Sequence, residues 1–284
     1  MNNLEIETKN ILKTYGIHAN KSLGQNFLID ESVVSTIVDK AEIKEKDLVI
    51  EIGPGLGTLT KELLKKAGKV VCIELDKKMI EILNSRFKLH KNFEVQNEDV
   101  LKVDLEKLIE HQKEKYGLTS AKVVANLPYY ITTPIIMKLL EDRLDLESIT
   151  VMIQKEVADR LVATPGEEHA GAITHTIAYY TEVEKILEVH HSAFIPAPEV
   201  DSSVICLKIL EYPRVNVKDE KIFFKVIKQA FMQKRKTLLN TLTNGNILNS
   251  KKEVEEMLKT LGIEPNIRAE KLSIQDFAKI SDYL

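Results

Sequence analysis

Between about residues 48 and 153 the chain alternates short β-rich runs with longer amphipathic ones, and this alternation limits its possible folds more than any other feature. The β-type runs are Leu48-Val49-Ile50-Glu51-Ile52, Val70-Val71-Cys72-Ile73-Glu74, Phe93-Glu94-Val95, Lys122-Val123-Val124-Ala125 and Ile149-Thr150-Val151-Met152-Ile153. Stretches with helical periodicity lie between them, near 58–67, 78–88, 104–115 and 133–142. Strand and helix in turn predict a parallel sheet flanked by helices, because a parallel neighbour can be reached only by a crossover. Two further β-type runs, 183–189 and 202–210, are joined by the proline-bearing stretch Phe194-Ile195-Pro196-Ala197-Pro198. That short connection suits antiparallel strands closing one edge of the sheet. After Tyr212-Pro213 only helical patterns remain, with Phe223, Val226, Ile227, Ala230 and Phe231 at three- and four-residue spacing. The expected boundary lies near 212, between an α/β domain over 31–212 and a small all-helical domain over 213–284.

The first strand runs directly into Gly53-Pro54-Gly55-Leu56-Gly57, a turn whose backbone can pass close beneath a ligand with no side chains in the way. A dinucleotide fingerprint would need glycine at 53, 55 and 58, but position 58 is Thr, which weakens a nicotinamide dehydrogenase reading. Glu74 ends the second strand, near the spacing at which an acid meets a ribose diol in doubly wound folds; otherwise it is a solvated strand-end residue. Asp99, just past the third strand, either accepts an adenine amine or caps the helix near Val100.

The fourth strand ends in Asn126-Leu127-Pro128-Tyr129-Tyr130. An adenine amine is a poor nucleophile because its lone pair is delocalised into the ring. Two acceptors aimed at its N–H bonds draw the nitrogen toward tetrahedral geometry and free the lone pair for in-line attack on a methyl sulfonium. The Asn126 side-chain oxygen and the Leu127 carbonyl suit this task, with Pro128 holding the backbone extended and Tyr129 offering a ring face to an extruded base. The proton leaves from a cationic product, so positioning and preorganised dipoles suffice without a strong base. The alternative is a plain turn.

Composition offers nucleic-acid binding no general support, since Lys+Arg 40 against Asp+Glu 43 leaves a formal net charge of −3. Local charge differs: residues 221–240 hold Lys221, Lys225, Lys228, Lys234, Arg235 and Lys236 and no acid. Such a helical window is a solvated face or an RNA-docking one. Cys72 and Cys206 sit far apart among β-branched residues and read as small core hydrophobes, which fits a reducing cytoplasm. No apolar run suits a signal peptide or a membrane span. The seven histidines, His190 and His191 included, show no ligand spacing, and no metal is expected.

At these residues the sequence resembles the ribosomal RNA adenine dimethyltransferases, in particular the bacterial small-subunit type, from about residue 21 onward. The carrying motifs are Lys21-Ser22-Leu23-Gly24-Gln25-Asn26-Phe27-Leu28, Glu51-Ile52-Gly53-Pro54-Gly55-Leu56-Gly57, Asn126-Leu127-Pro128-Tyr129-Tyr130, Gln154-Lys155-Glu156-Val157-Ala158, Phe194-Ile195-Pro196-Ala197-Pro198-Glu199-Val200-Asp201-Ser202 and Phe231-Met232-Gln233-Lys234-Arg235-Lys236-Thr237-Leu238. The resemblance implies a Rossmann-like class I methyltransferase sheet with antiparallel edge strands, an N-terminal arm over 1–30 serving as cofactor lid, and a helical RNA-binding domain. It implies S-adenosylmethionine as cofactor. Asn26 and Leu28 would touch its methionine end, Gly53 would lie under it, Glu74 would hold the ribose and Asp99 the adenine. Asn126 would bind both cofactor and target amine, with Phe194 stacking on the target opposite Tyr129. Lys228, Lys234, Arg235 and Lys236 would meet small-subunit ribosomal RNA or its assembling particle. A monomer is expected, an expectation that no sequence feature carries.

Two relatives of the same fold remain as alternatives. A large-subunit methylase of the macrolide-resistance type shares the chemistry, but the full arm over 21–28, the long C-terminal part and the acidic overall balance argue against it. A non-catalytic nucleic-acid-binding relative would be expected to lose part of the 126–130 motif, which is intact here.

Overall fold

The structure, a computed structural model, describes residues 3–20, 24–167, 170–233, 235–245 and 247–284. Its strands are β1 (Phe27–Leu28), β2 (Asp47–Ile52), β3 (Lys69–Glu74), β4 (Phe93–Asn97), β5 (Ser120–Asn126), β6 (Ser148–Gln154), β7 (Thr181–Val189), β8 (Phe194–Ile195) and β9 (Ser202–Ile209). Seven form one sheet in the order β4-β3-β2-β5-β6-β9-β7. Neighbours from β4 through β6 are parallel, and β9 runs antiparallel to β6 with Gln154 opposite Ser202. The fold is the Rossmann-like class I arrangement with an antiparallel strand beside the parallel set. Every residue of β2 and β3 is buried, which is why Leu48-Val49-Ile50 and Val70-Val71-Cys72-Ile73 are continuously apolar instead of alternating. The amphipathic stretches become helices Thr58–Leu63, Lys77–Phe87, Leu105–Tyr116 and Thr132–Glu141.

Backbone contacts divide the chain into two compact units, Met1–Ala158 with Glu184–Ile209 and Asp159–Val183 with Leu210–Leu284. The second therefore gathers residues 159–183 as well as the C-terminal helices, an excursion that periodicity in the sequence does not reveal. Within it, helices Ala172–Tyr180, Glu220–Phe231, Leu238–Asn244, Lys251–Thr260 and Ile274–Tyr283 enclose a core that includes Tyr179, Phe223, Val226, Leu242, Met257 and Phe277. Side-chain caps start several of these helices: Asp219 accepts from the Lys221 and Ile222 amides, and Ser273 and Asp276 cap each other reciprocally. His175 is fully buried in this core, with the Phe277 ring edge-on at 4.7 Å, and burial pushes its pKa down to about 4.

The first unit contains elements that the sequence patterns did not suggest. Helix Asn3–Thr14 belongs to the arm, and β1 pairs antiparallel with β8, placing Leu28 opposite Phe194. Among the described residues no helix is long and apolar enough to cross a membrane.

Candidate active site

Strands β4, β3, β2 and β5 are neighbours whose carboxyl ends share one edge, the usual ligand edge of a parallel sheet. The segments after them line a single cavity of about 1030 Å³, its mouth included. Asn26, Leu28, Gly53, Glu74, Asp99, Asn126, Leu127, Pro128 and Tyr129 all reach it, although they are spread over a hundred positions of sequence.

The floor begins where β2 ends. The Gly53 amide donates to the Ile73 carbonyl at 3.0 Å, prolonging the β2–β3 ladder, and the turn then takes positive φ at Gly53, Gly55 and Gly57. Gly57 has a second constraint, because a Cβ there would lie 2.4 Å from Phe87 Cε2. Glycine thus satisfies both the left-handed backbone and the close packing of helix Lys77–Phe87. The Gly55 amide donates to Glu74 Oε2 at 3.2 Å, and the Asp76 amide donates to Glu74 Oε1 at 2.9 Å. Burial pushes the Glu74 carboxyl up, while the hydrogen bonds from Asp76 and Gly55 oppose that rise. Its side chain is thereby held between the glycine turn and its own strand end. Asp99 lines the cavity, and its Oδ1 accepts from the Leu101 amide at 3.1 Å. The expected helix near Val100 is a turn instead, and the next helix, Leu105–Tyr116, is capped by Asp104.

The opposite wall comes from the end of β5. Asn126 Nδ2 donates to the Asn26 carbonyl at 3.4 Å, tying the strand end to the arm. The Leu127 amide donates to the Met152 carbonyl at 3.1 Å, and Pro128 is extended at φ −60° and ψ 129°. The chain then enters a 3-10 turn over Tyr129–Ile131, and Thr132 Oγ1 donates to the Pro128 carbonyl at 3.1 Å. Tyr129 shares a 2.6 Å hydrogen bond with Ser202 Oγ, and burial pushes its phenol up.

The arm closes the third side. Ile11, Leu12 and Ile17 pack with Phe27, Leu56, Met79 and Ile82. Arg86 pairs with Glu7 and donates to the Leu56 carbonyl, while Gln25 Nε2 donates to Asp76 Oδ2 at 2.8 Å. The arm is therefore anchored to the same turn that carries Glu74. Lys21, Ser22 and Leu23 lie outside the described residues.

Phe194 is placed differently from its expected stacking position. It does not line the cavity; it is 2% exposed and packs in the core with Leu28 and Val204, because β8 is paired to β1. The basic residues also differ from one continuous helical face. Lys221, Lys225 and Lys228 are exposed along helix Glu220–Phe231, but Arg235 and Lys236 stand in the turn before helix Leu238–Asn244. Lys234 lies outside the described residues. His190, His191 and Asp201 come together with their potential ligand atoms within 4.8 Å, a grouping that sequence spacing hides; the Asp201 carboxylate accepts there from the His191 amide.

Glu51 is a cavity residue to which the sequence motifs assign no role. It is 1% exposed and its Oε2 accepts from Thr60 Oγ1 at 2.6 Å and from the Cys72 thiol at 3.5 Å. The available signal was one charged residue inside a run buried on both faces. Burial pushes its pKa up to about 7, with the Thr60 and Cys72 hydrogen bonds opposing. The folded protein therefore holds this proton more tightly than the unfolded chain, whose ordinary value is 4.5. Its contribution is most favourable below the unfolded value and declines as pH rises toward about 7. Glu51→Gln, neutral throughout, is expected to gain on the wild type as pH rises from about 5 to about 8. Urea unfolding without cofactor across that range checks this; a constant difference would mean that Glu51 is ionised throughout.

Residues 16–284 match the family described as ribosomal RNA adenine dimethylase. The chain is 48% identical over 277 residues to the ribosomal RNA small subunit methyltransferase A of Clostridium botulinum strain Langeland, covering 98% of each chain. It is 46% identical over 278 residues to the protein of the same name from Alkaliphilus oremlandii, covering 98% of this chain and 96% of that one. Among solved structures, a dimethyladenosine transferase from Plasmodium falciparum superposes with a TM-score of 0.73 at 28% identity, covering 89% of this chain and 95% of that one.

Proposed function

Because the chain belongs to the ribosomal RNA adenine dimethylase family, we infer that it transfers methyl groups from S-adenosylmethionine to the exocyclic amine of adenosines in small-subunit ribosomal RNA. The product is N6,N6-dimethyladenosine, formed on two neighbouring adenosines during assembly of the subunit. In this reading the protein is a cytoplasmic monomer. The observation that carries the reading is the meeting, in one cavity, of the Asn126-Leu127-Pro128-Tyr129 segment with the glycine turn and Glu74.

The cavity suits the cofactor: a glycine-rich turn lies beside a carboxylate that can accept from both ribose hydroxyls, with Asp99 further along the same edge. Gly53, Glu74 and Asp99 would hold the nucleoside part, and Asn26, Leu28 and Asn126 the amino-acid part. Bound there, S-adenosylmethionine supplies an electrophilic methyl group on a positively charged sulfur. The rest is positioning by the protein. The Asn126 side chain uses its donor on the Asn26 carbonyl, which leaves its amide oxygen as an acceptor for the target amine. The Leu127 carbonyl would take the second N–H, and Tyr129 would support the base from one face. With the amine held by these acceptors, the N6 lone pair would be free to take up that methyl group, the sulfur keeping the bonding pair. One N6 proton then leaves to water. Phe194 would act indirectly, by holding β8 to β1 and keeping Leu28 in the cavity wall.

The direct test supplies labelled S-adenosylmethionine with undermethylated small-subunit particles and, separately, large-subunit RNA, followed by nucleoside analysis. Dimethyladenosine in the small-subunit sample alone is expected. Methyl transfer to the large-subunit RNA instead would establish the resistance-type activity.

The exposed cations of the second unit carry the RNA-docking part of the proposal. Replacing Lys228, Arg235 and Lys236 together with Gln should weaken particle binding. It should also make the plot of log affinity against log salt shallower by roughly 0.7–0.9 for each phosphate no longer neutralised. Cofactor affinity should be unchanged, since none of the three lines the cavity. An unchanged salt slope would reduce these residues to solvated surface.

A further inference from the structure

Ser202 stands where the acceptor wall meets the antiparallel strand. It is fully buried at the start of β9, opposite Gln154 at the end of β6. The residue before it is held twice. The Lys155 amide donates to the Asp201 carbonyl at 3.0 Å, and the Asp201 carboxylate accepts from the His191 amide at 2.9 Å. Three residues beyond Asn126, the chain passes over the end of β6 and brings the Tyr129 hydroxyl to 2.6 Å from Ser202 Oγ. The phenol is thus engaged by the protein, and Tyr129 also lines the cavity, where its ring is the part left to meet a substrate in the proposed site. A tyrosine ring anchored only at Cβ can swing about χ1 and χ2; a bond at its far tip removes that freedom.

We propose that Ser202 is a positioning residue for methyl transfer: by holding the Tyr129 hydroxyl it sets the plane of the ring supporting the target adenine, and so governs how efficiently the second methyl follows the first. The proposal rests on the site reading given above. Its asymmetry comes from the chemistry of the amine. Unmethylated adenine offers two N–H bonds, one for the Asn126 oxygen and one for the Leu127 carbonyl. After the first transfer only one N–H remains, and one of these acceptors loses its partner. The monomethylated base is therefore aligned by one hydrogen bond and the stacking surface, and depends more on a fixed ring. In both rounds the atoms balance alike: one methyl is gained at N6, one proton is released to water, and the bonding pair remains on sulfur.

The experiment compares Ser202→Ala, Tyr129→Phe and the double variant as full-length proteins acting on undermethylated small-subunit particles. Mono- and dimethyladenosine are resolved over time. Each single variant is expected to slow the second transfer by about 3- to 10-fold, the effect of one ordinary hydrogen bond. The first transfer should slow less, so that monomethyladenosine accumulates. The double variant should behave like either single one, because both remove the same bond. Calorimetric affinity for S-adenosylmethionine should remain at the wild-type level. If Ser202→Ala fails to fold because it buries an unpartnered phenol, Tyr129→Phe decides alone. A wild-type mono-to-dimethyl ratio in either folded single variant overturns the proposal, as does additivity of the two losses. Such a result alongside an inactive Asn126→Ala variant removes only the role of Ser202; an active Asn126→Ala variant removes the site reading itself.

Discussion

Asn126→Ala is expected to lower the methylation rate by at least about 100-fold, within the 10²- to 10³-fold range for losing one preorganised polar group at a reacting centre. The size follows from the role proposed for the residue. The adenine amine must give up conjugation to become nucleophilic, and the acceptors aimed at its N–H bonds favour that change as the N–C bond forms. Asn126 is well suited because its amide nitrogen already donates to the Asn26 carbonyl, which orients its oxygen before substrate arrives. Alanine removes the acceptor and the tie to the arm together. Asn126→Asp is a useful companion, since it retains acceptors but loses the donor. Particle binding should survive in both, because the proposed docking cations lie outside the cavity. Single-turnover rates with saturating cofactor measure the effect. Turnover within a few-fold of wild type for the alanine variant would sink the two-acceptor mechanism.

The second large effect concerns stability and lies at the opposite edge of the sheet. Lys122 and Asp47 stand near the amino ends of β5 and β2, 1% and 2% exposed, with Nζ 3.1 Å from Oδ2. Lys122 also donates to the Glu42 carbonyl at 2.7 Å. Burial pushes the Asp47 carboxyl up, but hydrogen bonds from Ser120, the Lys44 amide and Lys122 outweigh it and hold its pKa below the ordinary value. Lys122→Met leaves that carboxylate buried without its cation and should cost about 3–5 kcal/mol of unfolding free energy. Pairing it with Asp47→Leu should recover much of the loss, because two apolar residues leave no charge to compensate. Denaturant midpoints of the single and double variants check both statements. Cofactor affinity should not change, as neither residue lines the cavity. A single variant that unfolds like wild type would show that water reaches Asp47 and replaces the lysine.

The parallel sheet could be read from the sequence because burial on both faces demands mainly apolar runs, and 48–52, 70–74 and 149–153 are such runs at strand length. Glycine, acid and Asn-Leu-Pro-Tyr features were legible for a related reason, since each follows such a run and a parallel sheet brings run ends to one edge. Three things were not. The β1–β8 pair is two residues long on each side, so its existence depends on the tertiary placement of both segments and on no local pattern. That pairing also explains why Phe194, readable as a stacking aromatic, is in the core instead. The Tyr129–Ser202 bond joins residues 73 positions apart and has no signature in either neighbourhood. Glu51 was visible as a charge in an apolar run, but its partners Thr60 and Cys72 are identified only by the packing of a helix and a strand against it.

The interleaving of the two units along the chain bears on how the protein comes into being. Strand β9 lies between β6 and β7 in the sheet yet is the last of the strands to be synthesised, so a nascent chain cannot close this sheet until residue 209 has cleared the exit tunnel. Until then the ladder positions of β6 that β9 will occupy remain open, a template for wrong pairing. Residues 159–183 wait longer still, because Tyr179 packs on Phe223 and His175 on Phe277, both of which emerge later. A chain stopped near residue 212 would keep the whole cavity but strand these apolar side chains without their partners. Such a truncation is therefore a candidate for chaperone capture and aggregation, not a minimal catalytic domain.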